Sequence, residues 1–126
     1  MSRKILIVDD EPHIRLLLEQ TLEDFADETG IELLTASNGL DALEMIQTQR
    51  PDLVFLDVMM PKMNGFEVCH RVKKELALEG VYIIMLTAKG QEFDKARGQE
   101  VGADLYMTKP FDPDQVVKRS VEVLGC

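Results

Sequence analysis

In Leu53-Val54-Phe55-Leu56-Asp57-Val58-Met59-Met60-Pro61-Lys62-Met63-Asn64-Gly65, four apolar residues run straight into an acid, and the chain then breaks at Pro61 and at Asn64-Gly65. An apolar run of that length between turn residues reads as a strand buried on both faces. Asp57 therefore closes a buried strand, the position where ligands bind in open parallel α/β sheets. A carboxylate half sunk in an apolar layer is costly unless something pairs with it. The plain alternative is an ordinary helix-cap or turn aspartate. What else converges on Asp57 decides between the two.

Upstream, Lys4 to Val8 is a short β-branched run that ends at Asp9-Asp10-Glu11. Pro12 suits the first helical position, with Asp10 as its cap, and Ile14, Leu17, Leu18, Leu22 and Phe25 follow at helical spacing up to Gly30. Ile31 to Ala36 is a second strand. Leu40, Ala42, Leu43 and Ile46 mark a second helix, stopped before Pro51. After Gly65 a third helix turns Phe66, Cys69, Val72 and Leu76 inward and Arg71, Lys73 and Lys74 to solvent. Val81 to Leu86 is a fourth strand, halted at Thr87-Ala88-Lys89-Gly90. The helix expected next, roughly Gln91 to Val101, is poor in apolar residues. Few buried contacts mean low local stability, so movement is expected there. Ala103 to Thr108 is the fifth strand, and Asp112-Pro113 caps a last helix carrying Val117, Val121 and Leu124.

Five strand-then-helix units with right-handed crossovers give an α/β fold. The expected form is a five-stranded parallel sheet in the flavodoxin-like order 2-1-3-4-5, with helices on both faces. All strand ends then share one edge, which gathers Asp9, Asp10, Asp57, Thr87 and Lys109.

The chain has 126 residues, one domain's worth, with 45% hydrophobic and 29% charged residues. No apolar run approaches the ~18 residues of a membrane span, and the amino terminus lacks a signal-peptide pattern. Membrane insertion is not expected. The net charge of −9 argues against direct nucleic-acid binding, which needs a basic face. Cys69 and Cys126 form no metal or disulfide framework and read as free thiols of a reducing cytosol. His13 and His70 read as surface residues.

The acidic pair Asp9-Asp10, the segment Leu56-Asp57-Val58-Met59-Met60-Pro61, Gly65, Thr87-Ala88 and Lys109-Pro110-Phe111 together resemble the receiver domain of two-component response regulators. Within it they are similar to the single-domain chemotaxis type. The likeness runs from Lys4 to Leu124, so residues 1–126 are expected to be one receiver domain. It implies a cytoplasmic signalling protein rather than a conventional enzyme, one that catalyses its own phosphoryl transfer and slow hydrolysis. The partner would be a sensor histidine kinase or phosphotransfer protein, and the chain a monomer or a phosphorylation-dependent dimer.

Three carboxylates at one edge repel, and a hard divalent cation relieves this. The resemblance makes Asp10 and Asp57 direct Mg²⁺ ligands, with the Met59 carbonyl as a third and Asp9 acting through water. Asp57 would be the phosphoryl acceptor, with Lys109, the Thr87 hydroxyl and the Ala88 amide holding phosphoryl oxygens. In the family the Lys109-Pro110 bond is usually cis and aims the lysine inward. Thr87 and Tyr106 would be the switch pair, changing the face made by the fourth helix, fifth strand and fifth helix. Met59 and Lys89 occupy the positions flanking the attacking water, where fast-dephosphorylating relatives often carry an amide at the first. An apolar Met59 is expected to prolong the phosphoryl lifetime.

Three alternatives stay open. An aspartate-nucleophile phosphatase usually has a second acid two residues after the first, where this chain has Met59. A flavin carrier of the same fold needs a hydroxyl- and glycine-rich phosphate loop after strand one, where Asp9-Asp10-Glu11 stands. A receiver used only as an unphosphorylated binding module would not need its reactive residues, and all of them are present.

Overall fold

The computed structural model describes residues 3–88 and 100–125. Its strands are β1 (Lys4–Val8), β2 (Glu32–Ala36), β3 (Leu53–Asp57), β4 (Tyr82–Ala88) and β5 (Leu105–Lys109). Its helices are α1 (Pro12–Thr29), α2 (Gly39–Gln49), α3 (Gly65–His70, continued by a π-helical turn at Arg71–Glu75) and a last helix, Pro113–Leu124. Of the helix expected at 91–101, only residues 100 and 101 are described, and both are helical. Lys89 and Cys126 lie outside the described residues.

All four pairings are parallel, as the strand-helix alternation requires, and the order is β2-β1-β3-β4-β5, the flavodoxin-like order expected. Ile5 to Val8 of β1 and Leu53 to Leu56 of β3 are unbroken apolar runs because helices cover both faces. Ile5, Ile7, Phe55, Ile84 and Leu86 face α1 and the last helix. Leu6, Val8, Val54, Leu56, Ile83 and Met85 face α2 and α3.

Local chemistry sets the helix ends nearest the sheet edge. Asn64 caps α3 by accepting from the Glu67 N–H (2.9 Å), while the Glu67 carboxylate accepts from the Asn64 N–H (3.3 Å). A Cβ at Gly65 would stand 2.2 Å from the Asp57 carbonyl oxygen, so only glycine lets α3 start directly against the end of β3. The strand-to-helix turn is thereby drawn tight around Asp57.

Several local expectations need correction. Glu11, not Asp10, occupies the cap position of α1, and its side chain makes no capping bond. Asp9 takes the local role instead, accepting from the Glu11 N–H through Oδ1 at 3.0 Å. Leu17 and Leu40 are exposed, because the buried stripes of their helices run through Leu18-Leu22-Phe25-Ala26 and Ala42-Leu43-Ile46. Leu76 is exposed as well, and Lys73 turns inward. The π turn, closed by the Leu76 N–H to the Arg71 carbonyl (2.8 Å), adds a residue and shifts the helix face. Lys73 Nζ then donates to the Val81 carbonyl (2.6 Å) and pairs with Asp104 (2.8 Å). β4 also continues two residues beyond Leu86, carrying Thr87 and Ala88 into the sheet.

Candidate functional site

Sheet register brings the reactive residues together. Val8 pairs with Leu56, so Asp9 emerges beside Asp57. Asp57 pairs with Leu86, and Ala88 with Lys109. One ligand atom from each of Asp9, Asp10 and Asp57 can be drawn from a set lying within 4.8 Å of one another. Asp9 is fully buried, Asp57 is 5% exposed and Asp10 faces solvent.

Lys109 lies between the two buried acids. Its Nζ donates to Asp9 Oδ2 at 2.8 Å and to Asp57 Oδ1 at 3.0 Å. The Lys109–Pro110 peptide is cis. Burial pushes the Asp57 carboxyl up from 3.8 to about 6, the Lys109 hydrogen bond opposes this, and the Asp9 and Asp10 charges add to the rise. For Lys109, burial acts to lower the pKa, but the bonds to Asp9 and Asp57 outweigh it and hold the ammonium above its ordinary range. Both partners are thus charged at neutral pH, with three carboxylates facing one ammonium.

Such a group of acids could hold a cation. The donors are all carboxylate oxygens, which suit hard divalent ions rather than soft ones. Asp10 is exposed and has no hydrogen-bond partner among the described residues, so its oxygens are available. Asp9 is the least available of the three, since Oδ1 is held by the Glu11 N–H and Oδ2 by Lys109.

Of the other residues predicted to act at this edge, Thr87 is 2% exposed, one residue past the partner of Asp57. Ala88 is the last residue of β4. Tyr106 pairs with Met85 while Thr87 pairs with Thr108, so Thr87 and Tyr106 are diagonal neighbours on one face of adjacent strands. The tyrosine is half-buried against the cluster containing Cys69, and burial, with the Cys69 thiol second, raises its hydroxyl pKa. The Met59 side chain is 70% exposed, two residues beyond Asp57. Cys69 is buried, and burial pushes its thiol up to about 12, so it is an inert core residue.

One participant escaped the sequence reading. Arg15, in the first turn of α1, donates from its guanidinium to the Asp9 carbonyl at 2.7 Å. An arginine one turn into a surface helix carries no signal of such a role.

Comparison with known proteins matches residues 5–120 to the response regulator receiver domain model. The chain is 48% identical to the alkaline phosphatase synthesis transcriptional regulatory protein PhoP of Bacillus subtilis, over 98% of this chain and 49% of that protein. It therefore spans about half the length of that curated relative. Among solved structures, chemotaxis protein CheY4 of Vibrio cholerae is 36% identical with a TM-score of 0.84, covering 98% of this chain and 99% of that one. A BeF3-activated DrrB receiver domain is 30% identical with a TM-score of 0.85, and both chains are covered completely.

Proposed function

The chain belongs to the response regulator receiver domain family, and on that premise we propose that Asp57 accepts a phosphoryl group from a phosphohistidine. The donor is a sensor histidine kinase or a phosphotransfer protein in the cytoplasm. The observation that carries this reading is the Asp57 carboxylate itself. It ends a buried strand, bonds an ammonium at 3.0 Å and has two further acids within reach.

An ionised Asp57 oxygen attacks phosphorus, and the phosphorus–nitrogen bond breaks with its electron pair left on that nitrogen; the other ring nitrogen of the phosphohistidine carries a proton, so the histidine departs as neutral imidazole. Lys109 leaves its carboxylate partner to hold an equatorial oxygen, and the Thr87 hydroxyl and Ala88 N–H hold others. Asp10, Asp57 and the Met59 carbonyl, with Asp9 through water, would hold Mg²⁺, which when bound offsets charge on the phosphoryl oxygens. Hydrolysis by water later returns the free carboxylate and inorganic phosphate. The test is mass spectrometry of the protein after acetyl phosphate with Mg²⁺, then peptide mapping. Phosphoryl at Asp57 supports the reading; a protein that never gains it overturns the reading.

The phosphoryl group is read out through the pair on β4 and β5. When Thr87 moves toward the new oxygens it frees space on the face it shares with Tyr106, and the ring turns into that space. This alters the face around β5 and its flanking helices, where a downstream partner docks. Thr87→Ala is expected to be labelled at Asp57 still, while the NMR shift of the Tyr106 ring on adding beryllofluoride disappears. A full Tyr106 response in Thr87→Ala would remove the hydroxyl from the relay.

Met59 sets the lifetime of the mark. An apolar side chain there offers the attacking water no hydrogen bond, so Met59→Asn is expected to speed phosphoryl loss about ten-fold, a modest share of what one positioned polar group can supply. Unchanged decay of the labelled protein would count against this. The name of PhoP describes transcriptional regulation. With its net charge of −9 the present chain is unsuited to holding DNA itself.

A further inference from the structure

We infer that Arg15 is a positioning residue for the cation site, acting through the main chain rather than through its charge. The inference rests on the Mg²⁺-dependent reading above. Three carboxylates lie close to the start of α1, yet the guanidinium makes no ion pair among the described residues. It bonds instead to the carbonyl oxygen of Asp9, at 2.7 Å. That carbonyl belongs to the peptide group joining Asp9 to Asp10.

Every polar atom of Asp9 is held. Its N–H donates to the Ala36 carbonyl (3.3 Å), Oδ1 accepts from the Glu11 N–H (3.0 Å), Oδ2 accepts from Lys109 (2.8 Å), and the carbonyl accepts from Arg15. Asp10 has no comparable anchor, because its exposed side chain bonds to nothing among the described residues. The direction in which the Asp10 carboxylate leaves the backbone is therefore set by the two peptide planes around it. Arg15 pins the first of them, and the Asp9 side chain pins the N–H of the next residue, Glu11.

The helix start gives Arg15 this reach. Glu11 caps α1 without a side-chain bond, and its carbonyl receives the Ile14 and Arg15 N–H groups (3.1 and 3.2 Å). The Arg15 side chain leaves from the first turn and returns over the loop toward β1. A planar fork on a partly buried stem loses little freedom in making such a bond. Side chains that orient metal ligands without touching the metal commonly govern affinity by about ten- to a hundred-fold when removed.

The two possible roles of Arg15 differ in sign. If it acted by charge, its removal would deepen the negative field at the three acids and tighten Mg²⁺ binding. If it acts by position, removal loosens the Asp9-Asp10 peptide and weakens binding. Calorimetric titration of the full chain with Mg²⁺ separates them: Arg15→Ala is expected to bind about ten-fold more weakly. In acetyl phosphate labelling, the Mg²⁺ concentration for half-maximal rate should rise by the same factor, while the rate at saturating Mg²⁺ stays near the parent's. Adding Asp10→Asn to Arg15→Ala should cost less affinity than Asp10→Asn costs the parent. Equal or tighter binding by a folded Arg15→Ala overturns the inference. Should that variant fail to fold, Arg15→Lys, which keeps the charge and loses the fork, is expected to bind more weakly, and parental affinity there overturns it. A parent chain that takes up no Mg²⁺ at all overturns the functional reading and this inference with it.

Discussion

Asp57→Asn is expected to take up no phosphoryl group from acetyl phosphate or a phosphohistidine donor, and at the same time to be more stable than the parent. The first effect follows from chemistry, since an amide oxygen is not a competent nucleophile and no other described acid combines burial with the end of the central strand. The second follows from the cost of the charge that the nucleophile needs. Burial, set against the Lys109 bond and reinforced by Asp9 and Asp10, raises Asp57 from 3.8 to about 6. The folded state therefore holds the proton more tightly than the unfolded state does. The contribution of Asp57 to stability is greatest with its carboxyl protonated, falls as pH rises from about 4 to 6, and stays reduced above that. A shift of that size corresponds to about 3 kcal/mol.

Asparagine removes this penalty and can still accept from Lys109. In EDTA at pH 8, urea unfolding of Asp57→Asn should give about 1–3 kcal/mol more stability than the parent, with the gap closing below pH 5. Adding Mg²⁺ should also narrow the gap, because the ion stabilises the parent in proportion to its tighter binding. A variant that is labelled like the parent, or that is less stable than the parent at pH 8 in EDTA, would contradict the assignment of Asp57. Function and stability pull against each other at this residue, a pattern common at sites built for reaction.

How much of this could be read from the chain depends on the kind of force involved. The strands declared themselves because β1 and β3 are covered on both faces, and short unbroken apolar runs between turn residues, such as Leu53 to Leu56, fit a doubly buried strand best. Crossover handedness put helices on both faces of a parallel sheet, and the strand order followed from the flavodoxin-like arrangement of five such units. The gathering of Asp9, Asp57 and Lys109 was legible only because each residue ends a strand and parallel strands end together. Contacts set by side-chain reach across the fold were not legible. Lys109 meets Asp9 across 100 positions of sequence, and whether it would bond one acid or two is decided by register and burial. Lys73 reads as a surface residue until the π turn carries it onto the Val81 carbonyl. Arg15 left no trace at all, because a bond from a side chain to a main-chain carbonyl asks nothing of the residue that accepts it. The exposed Leu17 and Leu40 show the opposite fault, since apolar spacing marks the width of a stripe but not its edge.

Lys109→Ala is expected to produce the largest loss of stability at the site and, against intuition, a gain in Mg²⁺ affinity. The ammonium is the sole cation bonded to the carboxylates of Asp9 and Asp57 among the described residues, and those residues are 0% and 5% exposed. Removing one partner of a buried ion pair costs about 3–5 kcal/mol, because the charge left behind has neither water nor counter-ion. Here two acids are abandoned at once. Asp57 responds by holding its proton to higher pH, since the Lys109 hydrogen bond and charge are what now restrain its rise. Its folded pKa then exceeds the unfolded one by more than in the parent, so the variant loses stability as pH increases through that wider window. The deficit in EDTA should accordingly be largest at pH 8 and smaller near pH 5. Mg²⁺ competes with Lys109 for the same oxygens, so deleting the lysine removes both a rival for the donors and a repelling charge. Titration calorimetry should show tighter Mg²⁺ binding, and saturating Mg²⁺ should recover about 3 kcal/mol of the lost stability at roughly a hundred-fold excess over Kd. If Lys109→Ala proved as stable as the parent at pH 8 in EDTA, Lys109 would not be the counter-ion of the two acids. If it bound Mg²⁺ more weakly, the lysine and the metal would not share the site.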